Sequence, residues 1–553
     1  GVIAIDSVWD DDALEGVVIA GEPCIHVPLD LVDGVFSAVE GVVVHDAKPV
    51  MRALDEADLT LPSLAFDTML AAWLINPAQR APDLEDLAYR ELGIELAPSA
   101  EASERSDQGA FDFDAAPSLD LESAGRRALA VQALVEPLTE QLDARGGLEL
   151  YRSIELPLVA VLAEMEEVGV GLDTKFLKAF GADLADRIAI LEGEIHALAG
   201  RSFNVNSTLQ LREVLFDQLG LPVLKKTPKG APSTDASVLE KLSDEHEIVA
   251  KLLAFRELDK LRSTYVESLL GLVASDGRLH GRFNQTGAAT GRLSMEQPNL
   301  QNIPTRSAEG RAIRKAFVAR EGSVLLVADY SQIELRILAH LSQDAGLVDA
   351  FAADVDIHAA TAARVNAVDL DDVTDDMRRT SKMINFGLLY GMEAYGLAQR
   401  LDIDRSEAQR HIDEYFAQFP DVQAYMSGIV DEARNTGYTT TILGRRRYLP
   451  ELNSRRTRER QMGERMALNA PIQGSAADVI KKSMIDLSGL LRDAGSHAEL
   501  LLQIHDELVL EVPEDELADV TDLTIRTMED VVELSVPLKV SHATGKTLAE
   551  AAH

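Results

Sequence analysis

The apolar stretch at residues 501–510 is interrupted near its centre by His505, Asp506 and Glu507. Its flanks are rich in Leu, Ile and Val, which predicts a buried strand or the two strands of a hairpin. Carboxylates at such a place carry a large desolvation cost unless a cation or another partner compensates. The alternative is a tight turn between two strands with both acids in water, since acidic residues are common in turns.

A second apolar run, residues 324–328, ends abruptly on Asp329. If the two predicted strands are adjacent, Asp329 and Asp506 meet at their ends. Such a carboxylate pair can hold two hard cations about 3.5–4 Å apart, the arrangement used for in-line phosphoryl displacement. Ligation by oxygen alone favours magnesium or manganese over zinc.

A pattern with helical spacing lies between these two runs. Arg378, Lys382, Phe386 and Tyr390 are four residues apart, which places them along one face of an α-helix. Two cations followed by two aromatic rings match a nucleoside triphosphate, with its phosphates on the cations and its base or sugar against the rings. The alternative is an amphipathic helix with a basic first turn, although cations there oppose the helix dipole.

These three segments resemble motifs A, B and C of the family A DNA polymerases, the bacterial DNA polymerase I type. The matching segments are residues 329–336, 378–391 and 503–507, joined in the family's order by residues 290–294, 298–304, 356–358, 444–450 and 469–474. Several ordered motifs are far more specific than a single short pattern.

The resemblance implies a multidomain fold of the α/β and α+β classes. An RNase H-like 3′–5′ exonuclease-like domain is expected at residues 1–149, followed by a right-hand polymerase at residues 150–553. The expected parts of the polymerase are the thumb (about 170–280), the palm (about 281–345 and 440–553) and the fingers (about 346–439). The chain resembles the large-fragment form, which lacks the 5′-nuclease domain.

The implied activity is template-directed addition of deoxynucleoside triphosphates to a primer 3′-hydroxyl, with release of pyrophosphate, in DNA replication and repair. Asp329 and Asp506 would hold two Mg²⁺ ions, with Mn²⁺ as a possible substitute. Glu507 would support this site, and Lys382 would donate a proton to the departing pyrophosphate.

Further roles are carried over by the same resemblance. The expected nucleotide-binding residues are Arg378, Lys382, Phe386, Tyr390, His358, Gln332 and Glu334. Glu334 would lie under the ribose and exclude a 2′-hydroxyl, and a phenylalanine at Phe386 is similar to members that reject dideoxynucleotides. The expected DNA-binding residues, near the minor groove and the phosphates, are Arg292, Asn299, Gln301, Asn302, Arg306, Arg465, Asn469, Gln473 and His505.

The exonuclease-like domain is expected to be inactive. Proofreading needs clustered acids for two metals, beginning with an Asp-x-Glu at the end of the first strand. The matching triplet here is Asp6-Ser7-Val8, the second aspartate position falls at Val50, and the expected Tyr-x-x-x-Asp ends at Arg127. We therefore expect this domain to survive as a scaffold that packs against the polymerase.

The net negative charge of the chain is unusual for an enzyme that binds nucleic acid. Its 553 residues have a net charge of −39, whereas a DNA-binding surface is expected to be basic. Residues 1–150 hold 30 acidic and 8 basic residues, while residues 444–465 hold eight arginines against three glutamates. DNA is therefore expected on basic strips in the later part, although a solvated loop and helix face would show the same pattern.

The remaining composition sets ordinary bounds. Cys24 is the single cysteine, which excludes an internal disulfide and is compatible with a reducing cytoplasm. No apolar run is long enough to span a membrane. We expect a bacterial, cytoplasmic and nucleoid-associated monomer that binds primer–template DNA. A single-subunit RNA polymerase and a non-catalytic nucleic-acid-binding protein stay open, disfavoured by Glu334 and by the two motif aspartates respectively.

Overall fold

The computed structural model describes residues 1–10, 13–96, 120–304 and 308–551. They form two compact units. The first unit contains Gly1–Val168, Phe283–Met295 and Leu326–His542, and the second contains Gly169–Arg282, Glu296–Leu325 and Ala543–His553. The exonuclease-like, thumb, palm and finger boundaries stay a prediction.

Alternating apolar residues build a five-stranded sheet at the start of the first unit. Its strands are β1 (Val2–Asp10), β2 (Ala13–Ile19), β3 (Ile25–Pro28), β4 (Gly41–Val44) and β5 (Leu64–Asp67). The strand order is β3-β2-β1-β4-β5. The first three strands pair antiparallel, whereas β1–β4 and β4–β5 pair in parallel. This mixed sheet agrees with the predicted RNase H-like α/β domain.

Helices pack against this sheet and continue beyond it. They are α1 (Val32–Phe36), α2 (Ala47–Glu56), α3 (Thr68–Ile75), α4 (Leu84–Leu87), α5 (Leu121–Ala144), α6 (Leu148–Leu150) and α7 (Leu156–Val168), with π turns at Ala88–Leu92 and Tyr151–Glu155. Trp73 on α3 is fully buried in the same core as Val131 and Leu134 on α5. The core therefore joins the sheet to the helices that follow it.

The second unit is mostly helical. It contains β6 (Val170–Gly171), α8 (Thr174–Ala199), α9 (Thr208–Arg212), α10 (Ala236–Glu240), α11 (Glu247–Lys260), α12 (Ser268–Leu272), β7 (Arg278–Leu279) and α13 (Ala308–Arg314). Two strands in the same stretch of sequence, β8 (Arg282–Asn284) and β9 (Ser294–Glu296), lie mostly in the segment Phe283–Met295 of the first unit. The long helices α8 and α11 pack on each other. Asp173 caps α8 by accepting hydrogen bonds from the Lys175 and Phe176 amides.

The rest of the chain combines a second sheet with long helices. Its elements are β10 (Ser323–Tyr330), α14 (Ile333–Ser342), α15 (Ala345–Ala352), α16 (Ile357–Asn366), α17 (Asp375–Leu389), α18 (Ala394–Leu401), α19 (Arg405–Gln418), α20 (Pro420–Thr436), β11 (Tyr438–Thr440), β12 (Arg446–Tyr448), α21 (Thr457–Asp493), β13 (Glu499–Ile504), β14 (Glu507–Pro513), α22 (Leu517–Glu529) and β15 (Val540–Gly545). The sheet order is β13-β14-β10-β15.

This second sheet confirms the predicted strands and the predicted hairpin. β13 and β14 pair antiparallel with Ile504 opposite Glu507, so only two residues connect them. Tyr330 on β10 links this sheet to two helices. Its buried hydroxyl lies 2.7 Å from the Ser483 hydroxyl on α21 and donates to the Met528 carbonyl on α22. Among the described residues, none of the helices is both long and apolar enough to cross a membrane.

The buried carboxylate of Asp67 is predicted to stabilise the domain built on the five-stranded sheet. Its oxygens accept hydrogen bonds from four backbone amides, at Asp46, Ala47, Met69 and Leu70. Asp67→Ala leaves these amides without their acceptor, so we expect a loss of roughly 2–4 kcal/mol in the free energy of unfolding. Equilibrium urea unfolding measures this loss.

Asp120 provides the control. Its exposed carboxylate accepts one hydrogen bond from the Ser123 amide at the start of α5. Asp120→Ala is therefore expected to cost about 1 kcal/mol or less. Equal losses for the two variants would contradict the account of Asp67.

Candidate active site

Asp329 and Asp506 lie at the ends of neighbouring strands, as the sequence predicts. β10 and β14 are adjacent in the sheet, and the Tyr330 amide donates to the Asp506 carbonyl (3.1 Å). His505 and Asp506 form the turn between β13 and β14, and His505 adopts a left-handed backbone with φ of 55°. The turn alternative is thus right about the backbone, but the Asp506 carboxyl group is not simply in water.

The two carboxylates are desolvated. Burial raises the pKa of Asp329 to about 6. Burial also raises the pKa of Asp506, where the charge of Arg292 acts in the opposite direction and the charge of Asp329 adds to the rise. Both anions are therefore short of compensating positive charge within the protein.

This donor set suits a hard divalent cation. Within the described ranges, no group of three or more His, Cys, Asp or Glu side chains is placed to hold an ion. Mg²⁺ is usually held by only one or two carboxylates, together with waters and substrate phosphates. Two under-compensated carboxylates at one sheet edge meet that requirement, so Asp329 and Asp506 fit the expected metals.

Glu334 is the third acid of the site and has partners of its own. It lies in the first turn of α14 with 5% of its surface exposed. Arg292 Nη2 lies 2.6 Å from one carboxylate oxygen, and the Tyr390 hydroxyl donates to the other. Burial raises the pKa of Glu334, while Tyr390 and Arg292 oppose the rise. The carboxylate is therefore held in a fixed orientation.

The predicted helix between the two strands is α17. Arg378 and Lys382 are exposed on it, and Phe386 is half-buried, so the four-residue spacing produces one face as predicted. The helix ends at Leu389, and Tyr390 is its C-terminal cap rather than part of its interior. The Tyr390 amide still donates to the Phe386 carbonyl (3.2 Å), and the Tyr390 hydroxyl donates to Glu334.

Arg378 is already paired in this structure. Its Nε and Nη2 atoms lie 2.9 and 2.7 Å from one Asp356 oxygen. The other Asp356 oxygen caps α16 by accepting hydrogen bonds from the His358 and Ala359 amides. Asp356 therefore links the start of α16 to the basic end of α17.

His358 is held as a neutral ring. It is 2% exposed, its Nδ1 atom lies 3.1 Å from the Asn385 amide nitrogen, and its ring centroid is 5.6 Å from that of Phe386. Burial lowers the pKa of His358 to about 4. At neutral pH this residue therefore offers a ring N–H and not a positive charge.

Two residues that support this face have no role in the sequence predictions. Asp356 and Asn385 orient Arg378 and His358, and neither was assigned a role. Asp356 carries a signal that could have found it, because an aspartate two residues before His358 is typical of a helix N-cap. Asn385 carries no such signal, since its partner is 27 residues away.

Comparisons with known proteins decide the family. The family model described as DNA polymerase family A matches residues 174–550. This chain belongs to that family. The DNA polymerases I of Bacillus subtilis (strain 168) and Geobacillus stearothermophilus are similar to it, with 47% identity over 512 residues and 48% over 514 residues. Each alignment covers 92% of this chain and 58% of the relative, so the chain spans less than two thirds of their length.

A solved structure is similar over the whole chain. It is described as the POL domain of Pol1 from M. smegmatis in complex with DNA primer-template and dNTP. It is 40% identical, with a TM-score of 0.91, and the match covers 100% of this chain and 97% of that one. The predicted family and the predicted polymerase fold are therefore confirmed.

The predicted DNA-binding residues of this family A chain fall into separate groups. Arg465, Asn469 and Gln473 lie four residues apart on α21 and so share one helix face. The first unit also contains Arg292 and the exposed His505, whereas Asn299, Gln301 and Asn302 belong to the second unit. Arg306 lies outside the described residues.

Two acids of the predicted exonuclease-like domain have protein partners. Arg127 Nε lies 3.2 Å from Asp6, and Nη1 of the same guanidinium pairs with Glu85. Burial raises the pKa of Asp6 to about 6, with Arg127 opposing the rise. A guanidinium therefore already supplies the positive charge at these acids.

The protonation state of His358 gives a direct test of the nucleotide face. Because its pKa is lowered from the usual 6.5 to about 4, the ring is expected to stay neutral from pH 8 down to about pH 5.5. NMR of histidine-labelled protein measures this, and a His358→Gln spectrum assigns the signal among the 12 histidines. A titration midpoint near 6.5 would contradict the buried geometry.

Proposed function

We propose that this chain is a template-directed DNA polymerase that adds deoxynucleoside triphosphates to a primer 3′-hydroxyl and releases pyrophosphate. The observation that supports this best is the meeting of two desolvated carboxylates, Asp329 and Asp506, at adjacent strand ends. Membership of DNA polymerase family A supports it further, as does the likeness to the M. smegmatis domain solved with primer-template and dNTP.

Asp329 and Asp506 are the proposed ligands of Mg²⁺, with Mn²⁺ as a possible substitute. Polymerases of this family depend on metal ions. When bound, such ions neutralise phosphate charge and make the primer hydroxyl a better nucleophile. Glu507 is the first residue of β14, next to Asp506, and is proposed to support this edge.

The side chains of α17 are proposed to hold the triphosphate. Lys382 is exposed on this face and serves as the proton donor to the leaving pyrophosphate. Arg378, already oriented by Asp356, gives a planar pair of donors to phosphate oxygens. His358 is proposed to contribute a neutral N–H, and Gln332, the N-cap residue of α14, is proposed to lie next to this group.

Glu334 and the ring of Phe386 are proposed to select the sugar. The Glu334 carboxylate is fixed by Arg292 and Tyr390, so it cannot swing away from a ribose with a 2′-hydroxyl. Crowding by a fixed, buried anion rejects that hydroxyl more strongly than a mobile side chain would. Phe386 has no ring hydroxyl, which is consistent with poor use of dideoxynucleotides.

The duplex is proposed to lie on the polar face of α21, and the other predicted DNA-binding residues are proposed to contact it as well. The residues proposed for it are Arg292, Asn299, Gln301, Asn302, Arg306, Arg465, Asn469, Gln473 and His505. Polar contacts near the minor groove suit an enzyme that must copy any sequence. We further propose a monomer that acts in the bacterial cytoplasm in replication and repair, without proofreading.

Asp506→Ala tests the chemical step. Removing one carboxylate of the pair takes away several kcal/mol of transition-state stabilisation, so we expect at least a roughly 10³-fold loss of extension rate. Binding of the primer–template should change little. A labelled primer–template extended in the presence of magnesium and resolved on a sequencing gel measures both the rate and the product length.

Asp515→Ala is the matched control for this assay, because Asp515 is an exposed acid in the turn at the other end of β14. It should extend primers at the wild-type rate. An active Asp506→Ala protein would sink the proposed chemistry. Shortening of the wild-type primer without nucleotides would show instead that the exonuclease-like domain still works.

Glu334→Ala tests sugar selection. We expect the preference for deoxynucleotides over ribonucleotides, measured as a ratio of kcat/KM values, to fall by roughly 100-fold. Tyr390→Phe removes only one of the two groups that hold the carboxylate, so its preference should fall by less. An unchanged preference in Glu334→Ala would show that another residue excludes the 2′-hydroxyl.

A further inference from the structure

The hairpin segment Phe283–Met295 brings Arg292 to Glu334. β8 and β9 pair as the two arms of this hairpin, and Arg292 lies in the loop between them. The side chain of Arg292 is 44% exposed. Because burial does not fix this side chain, its position depends on how the hairpin backbone is anchored.

A buried carboxylate anchors the base of the hairpin. Glu166 on α7 is 1% exposed and accepts a hydrogen bond from the Phe283 amide (2.6 Å). Lys48 on α2 donates both to Glu166 and to the Phe283 carbonyl. Arg52, also on α2, lies 3.5 Å from the other Glu166 oxygen. Both backbone groups of Phe283 are therefore tied to one buried ion pair.

The loop of the same hairpin rests on a second buried network. Gln285 donates to the carbonyl of Glu155 (2.7 Å) and pairs with its carboxylate. Arg445, paired with Glu155 and Asp478, lies against the next part of the loop. A Cβ atom at Gly291 would be only 2.5 Å from Arg445 Nε, so the backbone beside Arg292 packs directly on this guanidinium.

These two anchors differ in origin. The residues of the second network all lie outside the five-stranded sheet and outside helices α1 to α6; they are Gln285, Glu155, Arg445 and Asp478. In the first anchor, by contrast, Lys48 lies on α2, the helix that follows β4 of that sheet. The first domain thus supplies a cation to a hairpin of the polymerase. Two acids of the same domain, Asp6 and Glu85, are paired with Arg127 instead.

We propose that Lys48 is a positioning residue for nucleotide addition, because it fixes the base of the hairpin that presents Arg292 to Glu334. This inference rests on the proposed polymerase function. Without the Lys48 ammonium, Glu166 loses the nearer of these two cations, and the Phe283 carbonyl loses a donor. A displacement of about 1 Å at a reacting site can cost up to roughly 100-fold in rate.

Single-nucleotide addition by Lys48→Met tests the proposal in two backgrounds. In the wild-type background we expect kcat to fall roughly tenfold, with KM for primer–template changed by less than about twofold. In an Arg292→Ala background the same substitution should lower kcat by no more than about twofold, because Lys48 acts through Arg292. Lys48→Arg, which keeps a cation, should recover most of the wild-type rate.

Arg127→Met is the matched control. The side chains of Arg127 and Lys48 are 16% and 18% exposed, and both pair with carboxylates. The partners of Arg127, however, are Asp6 and Glu85, which lie in the first domain. Arg127→Met should lower the thermal midpoint as Lys48→Met does while leaving kcat within about twofold of wild type.

Three results would overturn the proposal. They are an unchanged kcat in Lys48→Met, an equal loss of kcat with and without Arg292, and an equal loss in Arg127→Met. If Lys48→Met does not fold, the same measurements are made on Glu166→Gln. This variant keeps an acceptor for the Phe283 amide. A wild-type protein that extends no primer would refute the polymerase function itself, whereas an active wild type with a normal Lys48→Met refutes only the positioning role.

Discussion

The pairing of β10 with β14 forces two carboxylates together at one edge of a sheet. Burial raises the pKa values of both Asp329 and Asp506, and at Asp506 the charge of Asp329 adds to the rise while that of Arg292 opposes it. Two desolvated carboxylates at one site lower the stability of the folded protein, and other contacts of the sheet have to offset this loss. The Tyr330 hydroxyl, held between Ser483 and the Met528 carbonyl, makes such contacts. A site that is unfavourable for the protein alone is favourable for a divalent cation.

The domain built on the five-stranded sheet treats its buried acids differently. There, Arg127 pairs with both Asp6 and Glu85, so a permanent cation lies beside these acids even though burial still raises the pKa of Asp6 to about 6. A guanidinium can neutralise carboxylates, but it cannot activate water or a hydroxyl as a metal does. The domain keeps its core around Trp73, and the ring of Trp73 lies 5.6 Å from Arg445 of the buried network.

The sequence predicts the parts of this structure that depend on local patterns. The strand that carries Asp329, the strand that ends at Ile504, the two-residue turn at Asp506 and the helix with Arg378 and Lys382 all follow from periodicity and from the motifs of the family. The four-residue spacing predicts Tyr390 as part of this helix, but the helix ends at Leu389 and Tyr390 is its C-terminal cap.

Sequence periodicity does not predict ion pairs between residues that are far apart in the chain. Arg292 meets Glu334 across 42 residues, Lys48 meets Glu166 across 118, and both contacts depend on how separate elements pack. Neither residue of such a pair carries a local signal for its partner. The buried ion pairs therefore became visible only in the structure, although they control how the predicted site residues are held.

Divalent-ion binding tests the central claim most directly. Mn²⁺ is titrated into the protein with primer–template and nucleotide, and free Mn²⁺ is followed by electron paramagnetic resonance. The account predicts tight binding to the wild type and at least a roughly tenfold loss of affinity in both Asp329→Asn and Asp506→Asn. Unchanged Mn²⁺ affinity in both variants would contradict it, because the paired carboxylates would then not be the metal ligands.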